Sequence, residues 1–232
     1  MINSEILNSL SDANKRQYDE YGSVTIYNFL EQEHAEALEA HLYKIPNYRW
    51  HGSYFPDGAG LAAQVTCVPE NDDSAIMHLD LARKAMREGG FSYHFYRTTD
   101  DHARCGCAEC NFREWIVSQS ANSFFSGITG RTYDTANGMF VSRYDPGCFL
   151  TPHTDPDHGD IGFVYNLTRD WNPQWGGLLH FMSSDGTIGK VCVPVFNSMT
   201  IFNISGGGQS HYVSEVVAGL GRSRYAVTGW LS

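Results

Sequence analysis

The spacing of apolar residues changes part-way along the chain. In the first 130 residues apolar positions recur mainly at helical intervals, whereas from Gly138 onward they fall in short alternating runs separated by Gly, Asp, Asn and Pro. The first twenty residues predict one helix with Ile6, Leu7 and Leu10 on its inner face, broken at Gly22. Residues 24–30 are rich in β-formers and predict a strand. A helix is expected from about residue 31 to 43, with Ala35, Leu38 and Leu42 inward and Pro46 ending it. Residues 48–69, rich in Gly and aromatics, read as short strands and loops. A further helix starts at Ala75 and ends near Gly89-Gly90, followed by a strand at 91–96 and a polar loop at 98–110. Residues 112–128 predict one more helix, closed by Gly130.

The second half reads as β throughout. Runs at 139–144, 161–167, 178–182, 190–193, 199–203, 211–217 and 224–231 have the length and spacing of strands in a double-sheet barrel of the jelly-roll kind. The expected fold is therefore α+β, mainly β: a double-stranded β-helix, cupin-like, with the N-terminal helices packed outside. No internal repeat or composition break divides the chain. One domain is expected over residues 1–232, with 1–137 as a mixed support region and 138–232 as the core.

Composition narrows the function. Hydrophobic residues make up 42% of the 232, charged residues 18%, and aromatics 13%. A net charge of −10 argues against a nucleic-acid or anionic-membrane partner, which calls for a basic face. No apolar run approaches the roughly 18 residues of a membrane span. The start has neither a basic nor an apolar secretory region, so the six cysteines are expected as reduced thiols and the compartment as the cytoplasm.

The candidate chemistry lies in the β-rich half. His153 and Asp155 are two apart, a spacing that on an extended strand sends both side chains to one face. With a second histidine from elsewhere, they would form the two-His, one-carboxylate pattern of non-haem Fe(II), which leaves positions open for a cosubstrate and oxygen. His34 and His41, on the helix after Leu30, read as solvated.

Four ordered stretches carry a resemblance. Tyr144-x-x-Gly147-x-x-Leu150-x-x-His153-x-Asp155 is followed by Trp175-Gly176-Gly177-Leu178-Leu179, then by residues 211–216 from His211, then by Arg224-x-x-x-x-Gly229-Trp230. Over about the last 90 residues the chain resembles the prolyl-4-hydroxylase-like branch of the 2-oxoglutarate and Fe(II)-dependent dioxygenases.

The resemblance implies that His153, Asp155 and His211 bind iron. It also implies that Arg224 pairs with the distal carboxylate of 2-oxoglutarate, a task suited to a fixed, forked charge. Arg222 competes with Arg224 for that role; the register of the Gly-Trp ending favours Arg224. Tyr144 would hydrogen-bond the same carboxylate, or else plug the barrel wall. Asn166 would line the cosubstrate pocket, or serve as a buried structural amide. Ala226 stands where some relatives carry a hydroxyl, for which Thr228 is a substitute to consider.

The implied cofactors are Fe(II), 2-oxoglutarate and O2, with ascorbate a candidate reductant. The implied reaction hydroxylates an unactivated C–H bond and releases succinate and CO2; the carboxylate of Asp155 favours hydroxylation over halogenation. Candidate substrates are a prolyl residue, another amino-acid residue in a peptide or protein, or a free amino acid or small metabolite. The rivals are a cupin-type metal-dependent hydrolase or isomerase and a non-catalytic cupin-like binding module.

Other features have plainer readings. Cys105-x-Cys107-x-x-Cys110 could supply thiolates to structural zinc, with His102, His94 or Cys67 as fourth ligand. It lacks the paired Cys-x-x-Cys of ribbon-type fingers, so a polar loop with incidental thiols is expected. Asp157 and His158 read as solvated loop. Trp171 and Trp175 either wall the site mouth or pack together.

Overall fold

Alternating runs need two partners at once, one for each face of a strand. In the computed structural model, which describes residues 1–8, 12–56, 66–98, 105–156, 158–217 and 221–232, they find both in a wrapped antiparallel sheet. Among the described residues the chain begins with α1 (Ser4–Asn8), α2 (Asp12–Tyr21), β1 (Ser23–Tyr27) and α3 (Gln32–Leu42). Next come β2 (Trp50–Pro56), β3 (Thr66–Pro69), α4 (Ala75–Arg87), β4 (Ser92–Thr98), α5 (Ala108–Ile116) and α6 (Gln119–Thr129). The β-rich half follows: β5 (Ala136–Tyr144), β6 (Phe149–His153), β7 (Ile161–Asn166), β8 (Leu179–Met182), β9 (Ile188–Cys192), β10 (Ser198–Asn203), β11 (His211–Val213) and β12 (Arg224–Leu231).

The strand order is β1-β10-β7-β12-β5-β4-β6-β11-β8-β9, with β2 on β4 and β3 on β2. β4 is the joint between two layers, pairing with β5 at one end and β6 at the other. The layers face each other: Phe181 of β8 meets Phe202 of β10 at 5.3 Å between ring centroids. The result is a nearly closed, jelly-roll-like barrel.

Strand alternation separates two cores. Met199, Ile201, Tyr165 and Val227 face outward into a cluster with Leu38, Phe112, Phe124 and Ile128 of the helices. Phe202, Val164, Phe140 and Tyr144 face inward with Phe95 and Phe181. α4 packs instead against β2 and β4.

The first half does more than cover the barrel from outside. β1 extends one layer by pairing with β10, and β4 joins the two layers. The single N-terminal helix expected from the sequence is described as α1 and α2; Leu10 and the side chain of Leu7 lie outside the described residues. The helix expected at 112–128 is two, α5 and α6. Ser118 accepts a hydrogen bond from the Ala121 amide and caps the second. β6 was absent from the expected runs because Pro152 and its flanking turns hide its alternation.

Candidate active site

Strand pairing brings together what the sequence holds 58 residues apart (211 − 153). β6 and β11 are antiparallel neighbours, and His211 stands directly opposite His153, with ring centroids 4.3 Å apart. Asp155 lies just past the end of β6. Its Oδ1 is 3.5 Å from Nε2 of His153 and its Oδ2 3.5 Å from Nε2 of His211. Nδ1 of His153 is 3.0 Å from the Thr151 carbonyl, and Nδ1 of His211 is 3.0 Å from the Gln209 carbonyl. A carbonyl only accepts, so each Nδ1 carries the proton and each Nε2 presents a lone pair.

Three electron-pair donors therefore converge within 4.8 Å with no proton between them, an arrangement that suits a cation. Burial lowers the His153 pKa, and burial together with the neighbouring His153 brings His211 to about 4. Both rings are thus neutral near pH 7 and keep their lone pairs. Trp230 fixes the carboxylate, donating from Nε1 to Oδ2 of Asp155 at 2.9 Å.

This cluster opens on a cavity of about 510 Å³ with aromatic walls that include Phe91, Tyr93, Phe95, Phe140 and Trp230. Arg224, the first residue of β12, lines the same cavity and is only 3% exposed. Its Nη2 donates to Oδ1 of Asn166 at 3.2 Å, while Nε and Nη1 are buried without a partner. Burial pulls the guanidinium below its usual pKa, and no carboxylate among the described residues pairs with it. A buried cation with two unused donors is costly unless an anion completes it. A dicarboxylate with one end at the metal and the other at Arg224 matches both deficits.

Residues 139–232 match the family model of the 2OG-Fe(II) oxygenase superfamily. Over that stretch, less than half of the chain, the protein is similar to the superfamily. A relative, prolyl 3,4-dihydroxylase OGFOD1 of Ostreococcus tauri, is 31% identical over 129 residues, which is 51% of this chain and 25% of the relative. This chain thus spans about a quarter of that protein's length. Among solved structures, a Pseudomonas putida prolyl-4-hydroxylase superposes with a TM-score of 0.57 and 17% identity, over 95% of this chain and 97% of that one. A Trichoplax adhaerens prolyl hydroxylase, solved in complex with a hypoxia inducible factor oxygen degradation domain peptide fragment, gives 0.62 and 19%, over 99% and 93%. At these identities the structural matches show the fold, a double-stranded β-helix.

The other candidate residues fall into two groups, those at this cavity and those away from it. Arg222 precedes β12, so strand alternation does not govern it. Its guanidinium donates to the Arg169 carbonyl and sits 5.7 Å from the Trp175 ring, and it is not among the cavity's lining residues. Tyr144 is buried in the cavity wall, paired across strands with Arg224, its ring 5.3 Å from the guanidinium carbon. Asn166 is held at both ends, by Ser198 through Nδ2 and by Arg224 through Oδ1, and so orients the arginine. Thr228 lines the cavity, but its hydroxyl donates to the Phe163 carbonyl at 3.0 Å.

Trp171 and Trp175 meet edge to face at 5.2 Å, and neither is a lining residue. His158 is exposed as expected, yet its ring rests 4.3 Å from Trp230 at the cavity. His41 departs from the solvated reading: it is half-buried, with Nε2 3.3 Å from Glu109. Asp157 and His102 lie outside the described residues.

Sequence reasoning gave no role to Trp230, Arg97 or Ser142. Trp230 was visible only as part of the closing motif. Arg97 lines the cavity from β4, its guanidinium 4.6 Å from the Phe140 ring centroid, and nothing in its local sequence marks it. Ser142, opposite Ala226 on the neighbouring strand, lines the cavity and donates to the Ala226 carbonyl at 3.3 Å.

Proposed function

We propose that the chain is an Fe(II)- and 2-oxoglutarate-dependent dioxygenase of the prolyl-hydroxylase type. One observation carries this reading: a proton-free His153, Asp155 and His211 cluster shares a cavity with a buried arginine that has two unused donors. In this reading Nε2 of both histidines and the Asp155 carboxylate hold Fe(II), with Trp230 orienting the carboxylate. Arg224, steadied by Asn166, receives the distal carboxylate of 2-oxoglutarate, and Tyr144 walls that end of the pocket.

With iron bound, O2 is divided between products: 2-oxoglutarate becomes succinate and CO2, and the substrate C–H becomes C–OH. The protein's own part is to orient the target carbon and keep water out, which the aromatic walls favour. A metal-dependent hydrolase on the same fold would have no use for the unpaired Arg224, so that rival is disfavoured.

For substrate we propose a prolyl residue within a peptide or protein. The relatives' names support that class, and the flat aromatic walls suit a compact apolar ring. Arg97 offers a polar contact at the same cavity. The cytoplasm is the proposed compartment; among the described residues no helix is long and apolar enough to cross a membrane.

The test is turnover. Purified protein with Fe(II), 2-oxoglutarate and ascorbate is screened against proline-containing peptides and free amino acids, following succinate and a gain of about 16 Da on the substrate, the mass of one oxygen atom. The expected result is one oxygen added to a peptidyl proline per succinate, lost in His153→Ala and Asp155→Ala. Metal-dependent hydrolysis that persists in Arg224→Ala would overturn the reading.

A further inference from the structure

The cysteine cluster is the chemistry that the oxygenase reading leaves unused. Cys107 is the N-cap of α5, Cys110 lies in its first turn, and Cys105 is two residues upstream. One sulfur from each falls within 4.8 Å of the others, and Cys105 and Cys110 are 3.8 Å apart. Nε2 of His41, reaching across from α3, is 3.8 Å from the Cys107 sulfur. In a tetrahedral zinc site with Zn–S near 2.3 Å and Zn–N near 2.0–2.1 Å, ligand atoms stand about 3.6–3.8 Å apart. The Cys105–Cys110 and Cys107–His41 separations match those spacings.

We propose that Cys105, Cys107 and Cys110 with His41 form a structural zinc site that fastens the start of α5 to α3. The fourth ligands the sequence suggested alongside His102 are placed otherwise. His94 stacks on Tyr54 at 4.5 Å, and the Cys67 sulfur lies 3.6 Å from the Ser53 hydroxyl.

Nε2 of His41 also lies 3.3 Å from Oε2 of Glu109 and gives up that contact to take the metal, leaving the carboxylate to two arginines. Arg113 binds its Oε1 at 3.2–3.3 Å and Arg49 its Oε2 at 3.4 Å. Three thiolates, a neutral imidazole and one zinc carry a net charge of −1. A site closed by four protein ligands leaves no position for substrate, so its role is to hold the fold.

Cobalt separates this site from the iron centre. A thiolate ligand gives Co(II) an intense near-ultraviolet sulfur-to-metal band, which a site built from two histidines and a carboxylate lacks. The full-length protein, reduced and stripped of metal, is titrated with Co(II). The proposal expects the sulfur band in the wild type and in His211→Ala, and its loss in the Cys105→Ser/Cys110→Ser double variant. It expects His41→Ala to keep the band but weaken affinity more than about tenfold, since even outer-shell partners are worth that much.

Absence of the band in the wild type, with three reactive thiols confirmed, overturns the proposal whether or not the variants fold. A band unaffected by His41→Ala and weakened by His102→Ala overturns the fourth ligand.

Discussion

At the residue scale the site is a set of unmet needs, and each need was legible to a different degree. His153 and Asp155 were legible from their spacing of two, although Asp155 lies just past the end of β6 rather than on it. The partnership with His211 needed the β6–β11 register, which only the fold supplies. Alternation could not decide between Arg224 and Arg222, because a spacing of two puts both on one face of a strand; in the structure Arg222 lies outside β12. Burial separates them: Arg224 is sealed beside the cavity, and Arg222 is spent on the Arg169 carbonyl and Trp175. Trp230 was invisible as a functional residue because an aromatic at the end of a strand ordinarily means packing. Its Nε1 bond to Asp155 makes a sharp prediction. Trp230→Phe keeps an aromatic ring and loses the donor, and should raise the Fe(II) concentration for half-maximal turnover by roughly 10–100-fold. An unchanged iron dependence would remove Trp230 from the metal centre.

At the element scale the sequence located strands better than it assigned partners. Residues 161–167, 199–203 and 224–231 became β7, β10 and β12 almost as read, since each alternates between a helix-facing and a cavity-facing set. The helix expected at 112–128 failed because apolar periodicity runs straight through Ser118. The capping hydroxyl that splits it is a single residue against a strong pattern.

The Gly176-Gly177 pair was legible as a motif, and the structure supplies its reason. Gly176 has φ of +74°, and a Cβ there would overlap the Glu215 carbonyl oxygen. Gly176→Ala must therefore move the backbone ahead of β8. It should cost at least about 2 kcal/mol, a fall in Tm of roughly 4 °C or more. A variant melting with the wild type would show that this approach is loose.

At the scale of the whole molecule the front half is a working part of the barrel. β1 continues one layer and β4 joins the two; both were legible as strands at 24–30 and 91–96, but their pairings were not. A titration follows from this joint. His94 of β4 is buried against Tyr54, and burial brings its pKa down to about 4.

The unfolded chain takes up that proton near pH 6.5 while the folded one resists it. Stability is therefore full above about pH 6.5 and falls as pH drops toward 4, by about 3 kcal/mol from this ring alone. His94→Phe should flatten that part of the stability profile relative to wild type in denaturant melts at stepped pH. Parallel profiles would mean that the ring is protonated in the fold.

The central claim is that one cavity holds Fe(II) at His153, Asp155 and His211 and 2-oxoglutarate between that metal and Arg224. Its most direct measurement is an anaerobic titration of Fe(II) and 2-oxoglutarate into the stripped protein, following the weak visible charge-transfer band of a metal-chelated keto acid. The band should appear only when both are present and vanish in His211→Ala. It should need far more 2-oxoglutarate in Arg224→Ala but not in Arg222→Ala. Iron that binds without ever producing the band, or a band that ignores Arg224→Ala and fails in Arg222→Ala, would contradict the account.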